Sequence, residues 1–195
     1  CFGKGTVVAT CEEMEKFMTK YVANMDGFRC FDMPLNVLEN ELKKHGGMIS
    51  EIEEFYLLES DKIGQINTKF DVEILEGAAI KKLYEDNRFH MALGYCQEQE
   101  RKDMLAVVAY ENGEIVGVAG ASNDTDQIWQ IGIDVVPEKQ KHHVATDIVR
   151  IISDEVLKRG KIPYYGTAWS NIASKRVAIN AGYKPVWVEM KVKKI

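Results

Sequence analysis

The residues best placed to do chemistry fall in one short run. Gln140-Lys141-His142-His143-Val144-Ala145-Thr146 joins a β-rich segment ending at Val135-Val136-Pro137 to a long amphipathic segment. A helix starting there exposes unpaired backbone N–H groups and the positive end of its dipole. Phosphates are the usual guests at such an end. Lys139 and Lys141 add positive charge, with His142 and His143 beside them, and the first acid is Asp147. A helix capped only for its own stability usually carries Ser, Thr or Asp at the cap and an early Glu. This one leaves its N-terminus for something else. The chemistry implied is anion binding. The residues alone also allow an exposed basic loop capped by water, so both readings stand at this point.

Other chemistries find no local support. There is no GxGxxG and no GxxxxGK[ST], so nothing points to a dinucleotide or a nucleoside triphosphate. Cys1, Cys11, Cys30 and Cys96 form no CxxC pair, which fits reduced thiols in a cytoplasmic protein. His45, His90, His142 and His143 make no metal-ligand pattern, so no metal is expected. A formal net charge of −5 argues against general nucleic-acid binding, though a small basic site is compatible with it. No apolar run approaches the roughly 20 residues that span a bilayer, so no membrane partner is expected. The first residue is Cys1 rather than Met, and the intact protein is expected to begin earlier. The 195 residues, 46% of them apolar, suffice for one large domain or two small ones.

The elements that must position the loop follow from periodicity. Met14, Phe17, Met18 and Tyr21 recur at helical spacing, as do Leu35, Leu38 and Leu42 before the stop at Gly46-Gly47. Residues 48–60 read as a strand. The polar, turn-rich stretch that follows sets a boundary near residue 68. It separates an N-terminal α/β region, 1–68, from a second domain, 69–195. Within the latter, 71–77 reads as a strand and 78–86 as a short helix carrying Ile80, Leu83 and Tyr84. Residues 88–103 are ambiguous, a helix plus loop. Asn112-Gly113 between two β-rich runs predicts a type I′ hairpin. A further strand ends at Pro137. The long helix then spans about 143–159, with Val144, Ile148, Ile152 and Val156 toward a core, Lys158 and Arg159 in the last turn and Gly160 beyond it. A strand over 162–170, a helix capped by Asn171 and stopped at Gly182, and a final strand complete the chain. The expected class is α/β (α+β), a mixed sheet with helices on its faces.

Three patterns in this order carry a resemblance. "VVPEKQKHHVA" supplies Val135, Pro137, Gln140 and Ala145 of a Val-x-Pro element followed by Gln/Arg-x-x-Gly-x-Gly/Ala. "WSNIASKRVAINAGY" supplies Asn171, Ser174, Gly182 and Tyr183 of an Asn, short helix and Gly-Phe/Tyr motif. "AYENGEIVGVAGAS" supplies the preceding hairpin. On these grounds the stretch from about 70 to 195 resembles the GNAT superfamily of acyl-CoA-dependent N-acyltransferases. The N-terminal third adds a likeness to a bacterial subgroup with an extra leading domain. The resemblance implies a mixed, mostly antiparallel central sheet flanked by helices. It implies acetyl-CoA as cofactor and an unidentified amine, on a small molecule or a protein, as acceptor. Backbone amides from Gln140 through Lys141, His142, His143, Val144 and Ala145 to Thr146 would hold the pyrophosphate. Ile133, Asp134 and Val135 would line the pantetheine, and Asn171 and Ser174 would meet the pantetheine or its sulfur end.

The departures from that pattern are specific. His143 stands at the first Gly position, where a Cβ crowds the phosphate and restricts positive φ. Ala178 stands where the family often has a Tyr acid. Gln130 lies near the place of a frequent Glu base and cannot usefully take a proton. Asp134 shares the side-chain parity of Gln130 and is the nearest ionisable candidate for the base. Tyr164, Tyr165 and Tyr183 are nearby phenols whose first reading is packing. Besides an N-acetyltransferase, the sequence therefore admits a catalytically silent CoA-binding regulatory domain, or an interaction module that keeps only the fold. The N-terminal region has two open uses, shaping the acceptor pocket or forming a homodimer contact.

Overall fold

The computed structural model describes residues 1–25, 35–59, 63–64, 66–94, 100–140 and 142–195. Cys30, Cys96, Lys141 and part of the ambiguous segment 88–103 lie outside the described residues. In chain order the elements are α1 (Glu12–Ala23), α2 (Leu35–Lys44), β1 (Gly47–Leu58), β2 (Asp71–Glu76), β3 (Asp103–Glu111), β4 (Glu114–Asn123), β5 (Ile128–Val135), α3 (Val144–Lys158), β6 (Ile162–Ala168), α4 (Ile172–Asn180) and β7 (Tyr183–Lys194). Short 3₁₀ segments occupy Gly77–Glu85, Asn87–Phe89 and Pro137–Lys139. The strands run in the order β2-β3-β4-β5-β6-β1-β7, antiparallel from β2 to β5 and parallel between β5 and β6. This is the expected mixed, mostly antiparallel sheet with helices.

The chain forms two compact units, Tyr56–Pro185 and Cys1–Phe55 with Val186–Ile195. In the larger unit β3 is apolar on both faces, so it reads as a continuous run rather than an alternation. Val107 and Ala109 join the core beneath α3, where Val144, Ile148, Val149, Ile152 and Val156 are all buried. Ala106 and Val108 join Ile80, Leu83, Phe89 and Leu93 on the opposite face. Full burial of side chains this size stabilises by about 1.5–3 kcal/mol each, so the α3 stripe fixes the helix, and with it the loop at its head. The helix ends in a Schellman arrangement, with Gly160 N–H donating to the Leu157 carbonyl at 2.8 Å and Lys161 N–H to Val156 at 3.2 Å.

The hairpin is as expected. Glu111 pairs with Glu114, and Asn112 and Gly113 have φ of 53° and 81°, the type I′ signature. One element differs in kind. Residues Gly77–Glu85 form 3₁₀ turns rather than an α-helix. The buried Ile80 and Leu83 are three apart, and a helix of three residues per turn stacks such a pair on one side.

In the smaller unit α1 and α2 bury Met14, Tyr21, Leu38 and Leu42 together, with Ile49 of β1 and Met190 of β7 packed against them. Phe55 stacks on Trp187 at 5.0 Å between ring centroids and 6° between planes.

Candidate functional site

The site is built where β5 leaves β6. The two strands pair in parallel from Ile128↔Ile162 to Ile131↔Tyr165 and no further. Both continue, β5 to Val135 and β6 to Ala168. On its other side β5 stays paired with β4 as far as Val135↔Gly117. Beyond Ile131 and Tyr165 the facing backbone edges therefore bound a cleft. Ile133 and Val135 pack into the core under α3, so what they present along the cleft is main chain.

The cleft leads to the head of α3. Val136 is followed by the 3₁₀ turn Pro137–Lys139, then extended Gln140. His143 is the N-cap, with φ 66° and ψ 0°, and its side chain makes no cap hydrogen bond. The left-handed backbone that a glycine would favour is thus present at His143 although the residue carries a Cβ. The first helical bond runs from Asp147 N–H to the His143 carbonyl at 3.0 Å, so the amides of Val144, Ala145 and Thr146 precede it. His142, His143 and Gln140 are exposed there, whereas Lys139 is paired with Glu111 of the hairpin. That bond, with the Lys69 and His142 charges, holds the Glu111 carboxyl below its usual range.

Asp134 faces away from α3. Its Oδ2 accepts the backbone N–H of Met91 at 2.7 Å and of Ala92 at 2.9 Å. Burial pushes its carboxyl up, against the pull of these two N–H groups and of the His90 charge. The same two residues pass over a glycine saddle. Gly120 and Gly132 are register partners on β4 and β5. A Cβ on Gly132 would lie 2.7 Å from the Met91 carbonyl oxygen and 2.8 Å from that of Ala92, and one on Gly120 would strike Ala92 directly. Isolated glycines inside strands are a signal of close backbone approach. That signal was present in the sequence, but Met91 and Ala92 carried none of their own.

Gln130 lies further back on the same face, level with Ser122 and Tyr164. Its amide oxygen accepts from Arg101, which also reaches Asp124 at 2.5 Å and Ser122 at 3.3 Å. Tyr164 donates to Asp124. Gln130 is therefore a member of a polar cluster that sequence reasoning did not anticipate. On the opposite face, Tyr165 Oη and Ser174 Oγ are 2.9 Å apart. Asn171 caps α4, its side-chain oxygen accepting the Ser174 N–H at 3.1 Å. Ala178 is fully buried, so no phenol rises from that position. Tyr183 is committed to Ser153 at 2.6 Å within the core.

The GNAT acetyltransferase family model matches residues 35–187. The chain belongs to this GNAT acetyltransferase family. Solved structures with the same fold include a GNAT-family acetyltransferase from Novosphingobium aromaticivorans, 12% identical over 77% of this chain and 68% of that one, TM-score 0.56. A GCN5-related N-acetyltransferase from Kribbella flavida is 12% identical over 80% of this chain and 63% of its own, TM-score 0.60. AAC(6′)-Iy, solved with the bisubstrate analog CoA-S-monomethyl-acetylneamine, is 16% identical over 66% of this chain and 99% of its own, TM-score 0.51. No curated protein matches the chain in sequence. Among the described residues no helix is long and apolar enough to cross a membrane.

Within the GNAT frame Gln140 and residues His142 to Thr146 lie at the head of α3, beyond the end of β5. The structure brings Ile133, Asp134 and Val135 to that edge, and places Ser174 beside Tyr165 at the cleft root.

Proposed function

We propose that the chain is an acetyl-CoA-dependent N-acetyltransferase that moves an acetyl group directly to an amine of a small molecule or protein. The observation that carries this reading is the parting of β5 from β6 after Ile131 and Tyr165, on a strand that leads straight to the α3 amides. The likeness to AAC(6′)-Iy, solved with its CoA-bearing analog, supports the same use of the cleft.

Acetyl-CoA supplies an activated acyl group as a thioester. The chain's own residues do the rest. First-turn amides of α3 and the positive dipole end hold the pyrophosphate. Main-chain groups of Ile133, Asp134 and Val135 pair with the amides of the pantetheine arm. Asp134 takes the proton of the attacking amine. Its two N–H partners orient the carboxyl, and burial raises its proton affinity toward that of a useful base.

One alternative has a specific observation behind it. His143 in the glycine position, Gln130 held by Arg101 and the buried Ala178 favour a silent CoA-binding domain. Calorimetric titration with acetyl-CoA, beside a His143→Gly variant, separates the readings. Saturable binding by the unaltered chain, with turnover on an amine panel that is lost in Asp134→Ala and Asn171→Ala, is the expected result. Binding without turnover on any amine would favour the silent domain. Absence of binding by both proteins would leave only an interaction module.

A further inference from the structure

On the face of the sheet opposite α3, the apolar run of Ala106, Val108 and Val118 gives way to a polar row. Asp103, Ser122, Gln130 and Tyr164 are successive register partners on β3, β4, β5 and β6. Asp103, Ser122 and Tyr164 are all buried. Polar groups in such a place are costly unless paired, and most donors of the row are committed within it. Tyr84 donates to Asp103 at 3.0 Å, and Tyr164 donates to Asp124. Arg101 Nη2 lies 2.5 Å from Asp124 Oδ1 and 3.3 Å from Ser122 Oγ, and it also donates to Gln130. A guanidinium has donors only, so Gln130 must turn its amide oxygen toward Arg101 and its nitrogen away. That nitrogen has no hydrogen-bond partner among the described residues, and it is open to solvent rather than sealed in. Gln130 therefore presents a pair of N–H donors in a direction that Arg101 fixes.

The row stands directly behind the root of the cleft. Gln130 and Tyr164 form the pair that precedes Ile131 and Tyr165, the last that β5 and β6 make. Ile131 and Tyr165 are each 1% exposed and packed in the core under α3, which closes that face. An acceptor thus reaches the root from the face that carries the polar row. We infer that Gln130 is a specificity-determining residue that donates to an uncharged oxygen a few bonds from the acceptor's amine, with Arg101 positioning its amide. The acceptor class is then amines bearing a hydroxyl or an amide carbonyl, and not plain alkylamines. This deepens the acetyltransferase reading and rests on it. The charge balance decides that the oxygen is uncharged. Among the described residues the row and its partners carry the carboxylates of Asp103 and Asp124 against the one guanidinium of Arg101, so a substrate carboxylate would meet a net negative charge there. Gln130 exchanges no proton in the transfer. The amine nitrogen bonds to the acyl carbon, its proton goes to Asp134, and the electron pair of the broken carbon–sulfur bond stays on sulfur.

The test compares acceptors matched in size. Thiol release from acetyl-CoA by the unaltered full chain is followed with ethanolamine against propylamine, aminopentanol against hexylamine, and glycinamide against isobutylamine, with glycine as the anionic member. In at least one pair kcat/KM should favour the oxygen-bearing amine by about tenfold, the worth of one hydrogen bond at a partly exposed site. The first two pairs report a hydroxyl at two spacings, and the third reports an amide carbonyl. Glycine should trail glycinamide. Gln130→Met keeps the side-chain length without the donors, and the ratio should fall toward one. Gln130→Glu leaves an oxygen for Arg101 but no donor, and it should lose the preference too, so the comparison survives if one variant fails to fold. Arg101→Met should lower the ratio as well, and Arg101→Lys, which still donates to the amide oxygen, should restore it. Equal rates within every pair for the unaltered chain overturn the inference while the acetyltransferase reading survives. So does a preference that both Gln130 variants retain. Failure of the unaltered chain to acetylate any of these amines overturns both.

Discussion

Asp134 and Ala92 hold each other across the sheet. The Ala92 N–H donates to Asp134 Oδ2 at 2.9 Å, while the Ala92 carbonyl oxygen occupies the space a Gly132 side chain would need. One carboxylate and two glycines thereby seat the segment that passes over the root of the cleft. Any change at Asp134 acts on both chemistry and seating, and the two can be separated.

Asp134→Asn keeps an oxygen that accepts the Met91 and Ala92 N–H groups but gives up the base. Asp134→Ala gives up both. The alanine variant should lose about 1–3 kcal/mol of stability for the two stranded donors, and the asparagine variant much less. Urea unfolding checks the stabilities. Turnover with a competent amine should fall in both variants, by about 10²–10⁴-fold if the carboxylate is the base.

The Asp134 carboxyl is raised above its ordinary value of 3.8 in the folded chain. The folded state then binds more protons than the unfolded state between those two values. The contribution of Asp134 to stability is complete below 3.8 and is lost as pH rises through the folded value. Asp134→Asn removes this dependence. The difference in unfolding free energy, unaltered chain minus variant, should therefore decline as pH is raised from about 3.8. Parallel curves for the two proteins would count against the burial of this group.

Gly120→Ala places a methyl group against the Ala92 carbonyl and the Leu93 side chain. The obstacle is backbone, so the strain does not relax by a rotamer change. Overpacking of this kind costs about 1–3 kcal/mol, read as a lower denaturation midpoint. The Asp134 seat should loosen with it, seen as faster hydrogen exchange at the Met91 and Ala92 amides.

His143→Gly should stabilise the chain slightly. A left-handed backbone costs a non-glycine residue about 1–2 kcal/mol, and glycine returns about 0.5–1 kcal/mol of that as extra freedom when unfolded. The net gain of roughly 0.5–1 kcal/mol is readable as a rise in thermal midpoint. A fall would mean that the imidazole makes a stabilising contact at the head of α3.

The sequence made some of this visible and hid the rest for physical reasons. The α3 stripe, the Asn112-Gly113 turn and the Asn171 cap are local, and local periodicity or turn chemistry is enough to read them. The Asp134 seat joins residues 42 and 43 positions apart, through backbone N–H groups that every residue except proline owns. No residue type marks such a contact. The Tyr165–Ser174 bond crosses from a strand to the next helix, and either residue alone reads as packing or a helix surface. At His143 the local rule and the fold conflict. Its Cβ argues against positive φ, and the structure adopts φ 66° all the same, because β5 and α3 fix the path of the loop between them.

The cleft between β5 and β6 has main-chain walls beyond Ile131 and Tyr165. A pair of unmatched strand edges is a template for anything extended that carries alternating donors and acceptors, and the filled cleft is then a continuous sheet with one foreign rung. Such a guest is read by spacing and not by side-chain identity. Selection can therefore rewrite most of the residues around it without erasing the socket. A motif with His143 in its first glycine position is compatible with such freedom.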